Sequence, residues 1–61
     1  MQATSTHQAF PFHALKGGDR VNGRIVWDTR PVLGGWWAAI DSAGAVILRV
    51  RSPHAEVLVQ L

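Results

Sequence analysis

The sequence predicts an all-β protein of short antiparallel strands, and three observations support this. Apolar and polar residues alternate along several segments, as in strands that bury one face. The longest such segment, residues 19–30, does not repeat the apolar spacings of three and four that a helix requires. Clusters of glycine, proline and aspartate separate the segments, as turns do. We therefore expect no helix longer than about two turns.

The segment 19–30 is interpreted as the first main strand, on which the rest of the chain is organised. Its odd positions 21–27 are apolar or small and its even positions are polar, with Val26 the exception. A Lys-Gly-Gly turn precedes it and Pro31 ends it. Gly23, in the middle, predicts a bulge or a strong bend, which a small barrel needs in order to close.

The remaining chain divides into a tail, an apolar segment and three further strands. Residues 1–8 are polar and predict a flexible tail, so the single domain would comprise residues 9–61. Pro11 argues against a long helix after the tail and favours an irregular segment or a short edge strand. The further strands are predicted at residues 36–41, 45–51 and 55–61.

The alternation also predicts which side chains point inward. The predicted core consists of Val21, Ile25, Trp27, Val46, Leu48, Val50, Val57 and Val59. A chain of this length with a bent first strand is expected to close into a small SH3-like barrel of four to five antiparallel strands.

The run Gly-Asp-Arg-Val at residues 18–21, followed by Gly-Arg-Ile-Val at 23–26, resembles the first strands of several SH3-like families. These include KOW-type ribosomal and transcription modules and the type II dihydrofolate reductases. The reductase family binds its nicotinamide and folate through a Val-Gln-Ile-Tyr run on a late strand. This chain has no tyrosine, so that activity is not carried over. A similarity to Sm-like proteins would instead make Asn22-Gly23 a hairpin turn, although the spacing from Gly23 to Asp28 is one residue short.

Composition bears on assembly and location. The chain has 61 residues, 48% of them hydrophobic, and no cysteine. So short a chain has a small core and no disulfide to support it, which predicts a homo-oligomer paired through the last strand. The lack of cysteine suits a cytoplasmic protein. No stretch approaches the length of a membrane span, and the start does not resemble a signal peptide.

Groups that could perform catalysis are few. Four acidic residues and three histidines occur without a motif that would hold a nucleophile against a base or gather metal ligands. We therefore expect a non-catalytic binding module with no cofactor and no metal.

The arginines are the best candidate binding residues. Five of the six basic residues are arginines, and all five fall at outward positions of the first and third strands. Trp37 on the intervening strand would point outward between them if Trp36, Ala38 and Ile40 point inward; the sequence does not settle which tryptophan is exposed. The predicted site is Arg20, Arg24, Arg30, Trp37, Arg49 and Arg51.

Such a surface suits nucleic acid, because guanidinium groups bind phosphates and an aromatic ring stacks on a base. The same arginines could simply be the solvated face of a sheet. Alternatively, the chain is a small inhibitor or adaptor that docks on a larger protein through an exposed aromatic and apolar surface.

Overall fold

A computed structural model describes residues 6–61, and this part of the chain is all-β apart from one short 3-10 turn at Phe12–Ala14. The all-β prediction is therefore confirmed. The seven strands are β1 (His7–Pro11), β2 (Arg20–Val21), β3 (Arg24–Ile25), β4 (Asp28–Val32), β5 (Trp36–Ile40), β6 (Val46–Val50) and β7 (Glu56–Gln60). Within residues 6–61 no helix has the length and apolar character needed to cross a membrane.

The strands form two antiparallel sheets that are not closed into a barrel, so the prediction of a closed barrel of four to five strands is wrong. One sheet has four strands in the order β1-β7-β2-β3, and the other has three in the order β4-β5-β6. The predicted strands at 36–41, 45–51 and 55–61 correspond to β5, β6 and β7. Between β5 and β6, Gly44 donates its N–H to the carbonyl of Asp41 at 2.9 Å, which closes the hairpin turn.

The segment 19–30 is not one strand, which corrects the interpretation of Gly23 as a bulge. Asn22 and Gly23 form a two-residue hairpin turn, and both have positive φ, at 52° and 75°. This is the backbone that a type I′ turn needs, and Asn-Gly is its preferred sequence. Val21 consequently pairs with Arg24 across the turn. The hairpin that the Sm-like comparison suggested is thus present at these residues.

A bend at Val26 and Trp27 carries the chain from one sheet to the other. The N–H of Val26 donates to the carbonyl of Asp19 at 2.8 Å, continuing the pairing of the first hairpin. The N–H of the next residue, Trp27, donates to the carbonyl of Ile40 at 2.7 Å, continuing the pairing of β4 with β5. The backbone thus remains hydrogen-bonded through the bend, and Val26 is buried there.

The core lies between the two sheets. Val21, Val57 and Val59 from the four-stranded sheet pack with Ala39 from the three-stranded sheet. The 3-10 turn adds Phe12, which is one of the most deeply buried side chains of the described residues. The segment after β1 therefore covers the core.

The predicted core is correct in part. Val21, Val57 and Val59 are buried, and Leu48 and Val50 are half-buried against the core. Three predicted core residues are instead exposed: Ile25 by 53%, Trp27 by 67% and Val46 by 46%.

The turn at Asn22-Gly23 explains the first two errors. It changes the parity of the chain, so that Val26 points inward after the turn, whereas Ile25 and Trp27 point outward. Val46 is displaced by a bulge: the register between β5 and β6 shifts between Ala39 and Ile40.

Two end segments also differ from expectation. Residues 1–5 of the predicted tail lie outside the described residues, but β1 begins at His7, inside that tail. It is held there because it pairs with β7 along its full length, from His7 with Gln60 to Pro11 with Glu56. The strand β7, through which a homo-oligomer was predicted to pair, therefore lies between β1 and β2.

Candidate arginine–tryptophan site

The two adjacent tryptophans of β5 lie on opposite faces of the three-stranded sheet, and Trp37 takes the inner one. Its ring meets that of Phe12 edge to face, with centres 6.5 Å apart and planes at 61°. The prediction that Trp37 lies outside between rows of arginine is thus wrong. Trp36 occupies that place.

Trp36 is in contact with two guanidinium groups from β6 and the turn that follows it. The Cζ atom of Arg51 lies 4.0 Å from the ring centre, and that of Arg49 lies 5.4 Å from it. Residues two apart on a strand share a face, so both arginines reach the same ring. At these distances a guanidinium is attracted to the electron-rich face of the indole.

Arg30 lies on the same outer face, in register with Arg49. In this row Arg30 of β4 pairs with Ala38 of β5, and Ala38 pairs with Arg49 of β6. Ala38 is fully buried although it points away from the core, which the long side chains beside it explain. We call Arg30, Trp36, Arg49 and Arg51 the arginine face.

Arg20 and Arg24 are not part of this face, contrary to the prediction that they share one strand surface with Arg30. Arg20 pairs with Ile25 and Gln60 on the outer face of the four-stranded sheet. Arg24 lies across the hairpin, where it forms an ion pair with Asp41. The hairpin turn separates these two arginines from Arg30, because residues before and after the turn do not follow a single alternation.

The arginines also differ in how far their charge is already compensated. Within residues 6–61, Arg24 pairs with Asp41, and Arg30 pairs with Asp28 at 3.3 Å. Arg49 and Arg51 have no carboxylate partner among these residues, and both are exposed. The positive charge of the arginine face is therefore concentrated at its β6 end.

The turn after β5 fixes the acidic partner of Arg24. One carboxylate oxygen of Asp41 accepts the N–H groups of Ala43 at 3.0 Å and Ala45 at 2.9 Å, and the other oxygen contacts Arg24. The hydrogen bond from Ala45 is the largest cause of a lowered pKa of the Asp41 carboxyl; desolvation acts in the opposite direction, and Arg24 and the N–H of Ala43 lower the pKa further. Arg24 also donates to the carbonyl of Val46 at 3.3 Å.

An open apolar groove adjoins the arginine face. It encloses about 630 Å³ and is lined by Pro31, Val32, Leu33, Val46 and Arg49. Leu33, in the turn between β4 and β5, is 96% exposed. A ligand on Arg49 could therefore also contact apolar side chains.

The sequence pattern predicts the arginines of this site but indicates Trp37 where the structure has Trp36. Trp36 and Trp37 are followed by two alanines, so β5 has no alternation that distinguishes its faces. The outward positions of Arg49 and Arg51 were the available signal, because residues paired across strands share a face. That signal identifies the tryptophan only if the register of β5 against β6 is known, and this register shifts between Ala39 and Ile40.

Among residues 6–61, histidine, aspartate and glutamate do not gather in groups of three or more that could hold a metal ion. Comparison of the chain with protein-family models, with curated proteins and with solved structures gave no significant match.

Proposed function

We propose that this protein is a small non-catalytic module that binds nucleic acid, preferably single-stranded, through the arginine face. The observation that carries the proposal is the pair of uncompensated guanidinium groups, Arg49 and Arg51, held on the ring of Trp36.

The contact with Trp36 orients the arginines for this purpose. A guanidinium stacked on an indole loses side-chain freedom, yet the N–H groups at its edge still point into solvent. Those donors match the oxygens of a phosphate in a bidentate geometry. The exposed plane of such a stack can also accept an unpaired base, as arginine planes do in RNA recognition. Phosphate and base would thus be bound by the same pair of residues.

We propose that this arrangement of two unclosed sheets is related to the SH3-like fold, supported by the hydrogen-bonded connection at Val26 and Trp27 and by the resemblance at residues 18–26. A cytoplasmic location remains a prediction from the lack of cysteine.

A protein-interaction module is the second candidate, and a specific surface favours it. Leu58, exposed by 62%, and Ile25, exposed by 53%, lie on the outer face of the four-stranded sheet. Arg20, which pairs with Ile25, adds a charge beside them. Exposed apolar side chains next to an arginine are typical of protein interfaces. The same surface would serve the predicted homo-oligomer, since β7 itself lies inside the sheet.

The test is a titration of labelled single-stranded and duplex oligonucleotides at low and moderate salt. Replacing Arg49 or Arg51 by alanine should weaken binding to all sequences and reduce the salt slope by about one unit each. Arg20→Ala is the matched control, because Arg20 is also an exposed arginine on a strand but lies on the other sheet. It should change neither quantity by a comparable amount.

Two results would refute the nucleic-acid proposal. One is an absence of oligonucleotide binding even at low salt. The other is an equal loss of affinity with Arg20→Ala, which would show that net charge alone is responsible. Salt-insensitive binding of a protein that Leu58→Ser abolishes would instead support the interaction module.

A further inference from the structure

Two histidines far apart in the sequence meet on the surface at one end of the core. His13 is in the 3-10 turn after β1, and His54 is in the turn before β7. Their ring centres are 5.4 Å apart and their planes meet at 80°. Both side chains are exposed. The pair is separate from the arginine face and has no role in the proposed function.

The backbone holds the two turns together, so the proximity of the rings is built into the fold. The N–H of Phe12 donates to the carbonyl of Ala55 at 2.8 Å, and that of His13 donates to the carbonyl of Pro53 at 2.9 Å. Phe12 is buried in the core beside these bonds.

The second turn is also fixed internally. The N–H of His54 donates to the hydroxyl oxygen of Ser52 at 3.1 Å, and the N–H of Ala55 donates to the Ser52 carbonyl at 3.1 Å. Two turns anchored by hydrogen bonds thus present two exposed imidazoles side by side.

This spacing fits chelation of one metal ion. With a metal–nitrogen bond of about 2.0–2.1 Å, the ion lies roughly 3.2 Å from the centre of each imidazole. Ring centres are then about 4.5 Å apart for a right-angled pair of bonds and about 5.2 Å apart for a tetrahedral pair. The observed 5.4 Å is close to the tetrahedral value, and small rotations of exposed side chains cover the difference.

We propose that His13 and His54 form a two-histidine site for a divalent late first-row metal ion, such as Zn²⁺, Ni²⁺ or Cu²⁺. Imidazole is a preferred ligand of these ions, whereas Mg²⁺ and Ca²⁺ require oxygen ligands. The chain has no cysteine, so no thiolate site competes for the metal. Water, or a donor from a second copy of the chain, would complete the coordination.

A bound ion would join the segment after β1 to the turn before β7. Because the site depends on the folded arrangement of two distant segments, metal binding should stabilise the native state. The melting temperature of the whole chain should therefore rise when Zn²⁺ or Ni²⁺ is added, and it should return to its starting value when a chelator is added.

The experiment is isothermal titration of the untagged full chain with zinc, nickel and copper chlorides, with three single variants alongside. His13→Gln and His54→Gln each remove one ligand and should lower the affinity by at least about tenfold, since even loss of an outer partner of a metal ligand costs that much. His7→Gln is the matched control, because His7 is an exposed histidine of β1 whose partner in the strand register is Gln60.

Each result of the titration either supports the metal site or overturns it. One ion per chain, or one per two chains, lost with either His13→Gln or His54→Gln but kept with His7→Gln, supports the site. In that case Ni²⁺ should broaden the amide resonances of residues 52–55 more than those of the arginine face. Absence of binding by all three ions, unchanged affinity in both ligand variants, or loss only with His7→Gln would overturn the proposal. Circular dichroism of each variant checks that the fold is intact.

Discussion

The inner and outer faces of the three-stranded sheet differ most clearly at two adjacent residues. Trp37 packs against Phe12 and the core, whereas Trp36 holds Arg49 and Arg51 over its ring. Both tryptophans are half-buried, so exposure alone does not distinguish them. Their partners do: one ring contacts apolar side chains and the other contacts cations.

This difference implies that stability and binding are carried by separate residues on one strand. Alternation places neighbouring side chains on opposite faces, so one strand can contribute to the core and to a surface site at consecutive positions. Changes at Trp37 should therefore act on folding, and changes at Trp36 should act mainly on the arginine face.

The largest expected effect is from Trp37→Ala. Loss of a large aromatic side chain from the core should lower the free energy of unfolding by about 3 kcal/mol. A domain of this length has a total stability of about 3–9 kcal/mol, so a large fraction of the molecules could unfold. Trp36→Ala, the matched variant, should cost less than half as much. Urea denaturation of both variants measures this, and equal losses would show that the two faces are not distinct.

A second pair of variants tests the same division in the four-stranded sheet. Val21 is buried and Ile25 is 53% exposed, although the two are close in sequence and share one hairpin. Val21→Ala should cost about 2 kcal/mol, and Ile25→Ala less than about 1 kcal/mol although it removes more atoms. Thermal unfolding compares them. A larger loss with Ile25→Ala would mean that the alternation continues unbroken through residues 22 and 23.

These two hairpin residues show why only part of the structure could be predicted from sequence. Alternation succeeded for β7, where Val57 and Val59 are buried and Leu58 is exposed, because the strand is uninterrupted. It failed across Asn22-Gly23. The two-residue turn changes which positions point inward, yet apolar and polar residues continue to alternate along the sequence through it. The Asn-Gly signal for a type I′ turn was present, but a bulge at Gly23 fits the same residues.

The candidate site depended on a different kind of information. That Arg49 and Arg51 share a face follows from their spacing on one strand. That Trp36 lies beneath them depends on the pairing of β5 with β6, which a sequence with two central alanines does not reveal. The separation of Arg20 and Arg24 from the other arginines likewise follows from pairing between strands. Local patterns therefore predicted β5, β6 and β7, whereas the pairing between strands decided the site.

A double-mutant cycle on Trp36 and Arg51 would sharpen the description of the outer face. If the guanidinium is held by the ring, the coupling energy between Trp36→Leu and Arg51→Gln should be about 0.5–1 kcal/mol in the free energy of unfolding. The cycle of Trp36→Leu with Arg20→Gln is the control and should give a coupling near zero, because Arg20 belongs to the other sheet. A coupling near zero in both cycles would mean that the contact with Trp36 does not orient Arg51.

The smallest expected effect comes from Asp41, a surface residue that nevertheless supports the fold. Its carboxylate accepts the N–H groups of Ala43 and Ala45 and pairs with Arg24, which joins the turn after β5 to the hairpin of the other sheet. The hydrogen bond from Ala45, followed by the contact with Arg24, lowers the pKa of this carboxyl in the folded state. The folded protein therefore releases this proton more readily than the unfolded chain does.

The sign of the pH dependence follows from that shift. A lowered pKa in the folded state contributes stability above the ordinary aspartate value of about 3.9, and this contribution is lost as the pH falls through the folded-state pKa. Wild type should thus lose more stability than Asp41→Asn between about pH 5 and pH 2. Asp28→Asn is the matched control, because Asp28 also pairs with an arginine but lies within β4 and closes no turn. Melting temperatures measured across this range give the comparison. If the melting temperatures of wild type and Asp41→Asn fall in parallel with pH, the ionised carboxylate of Asp41 does not stabilise the fold.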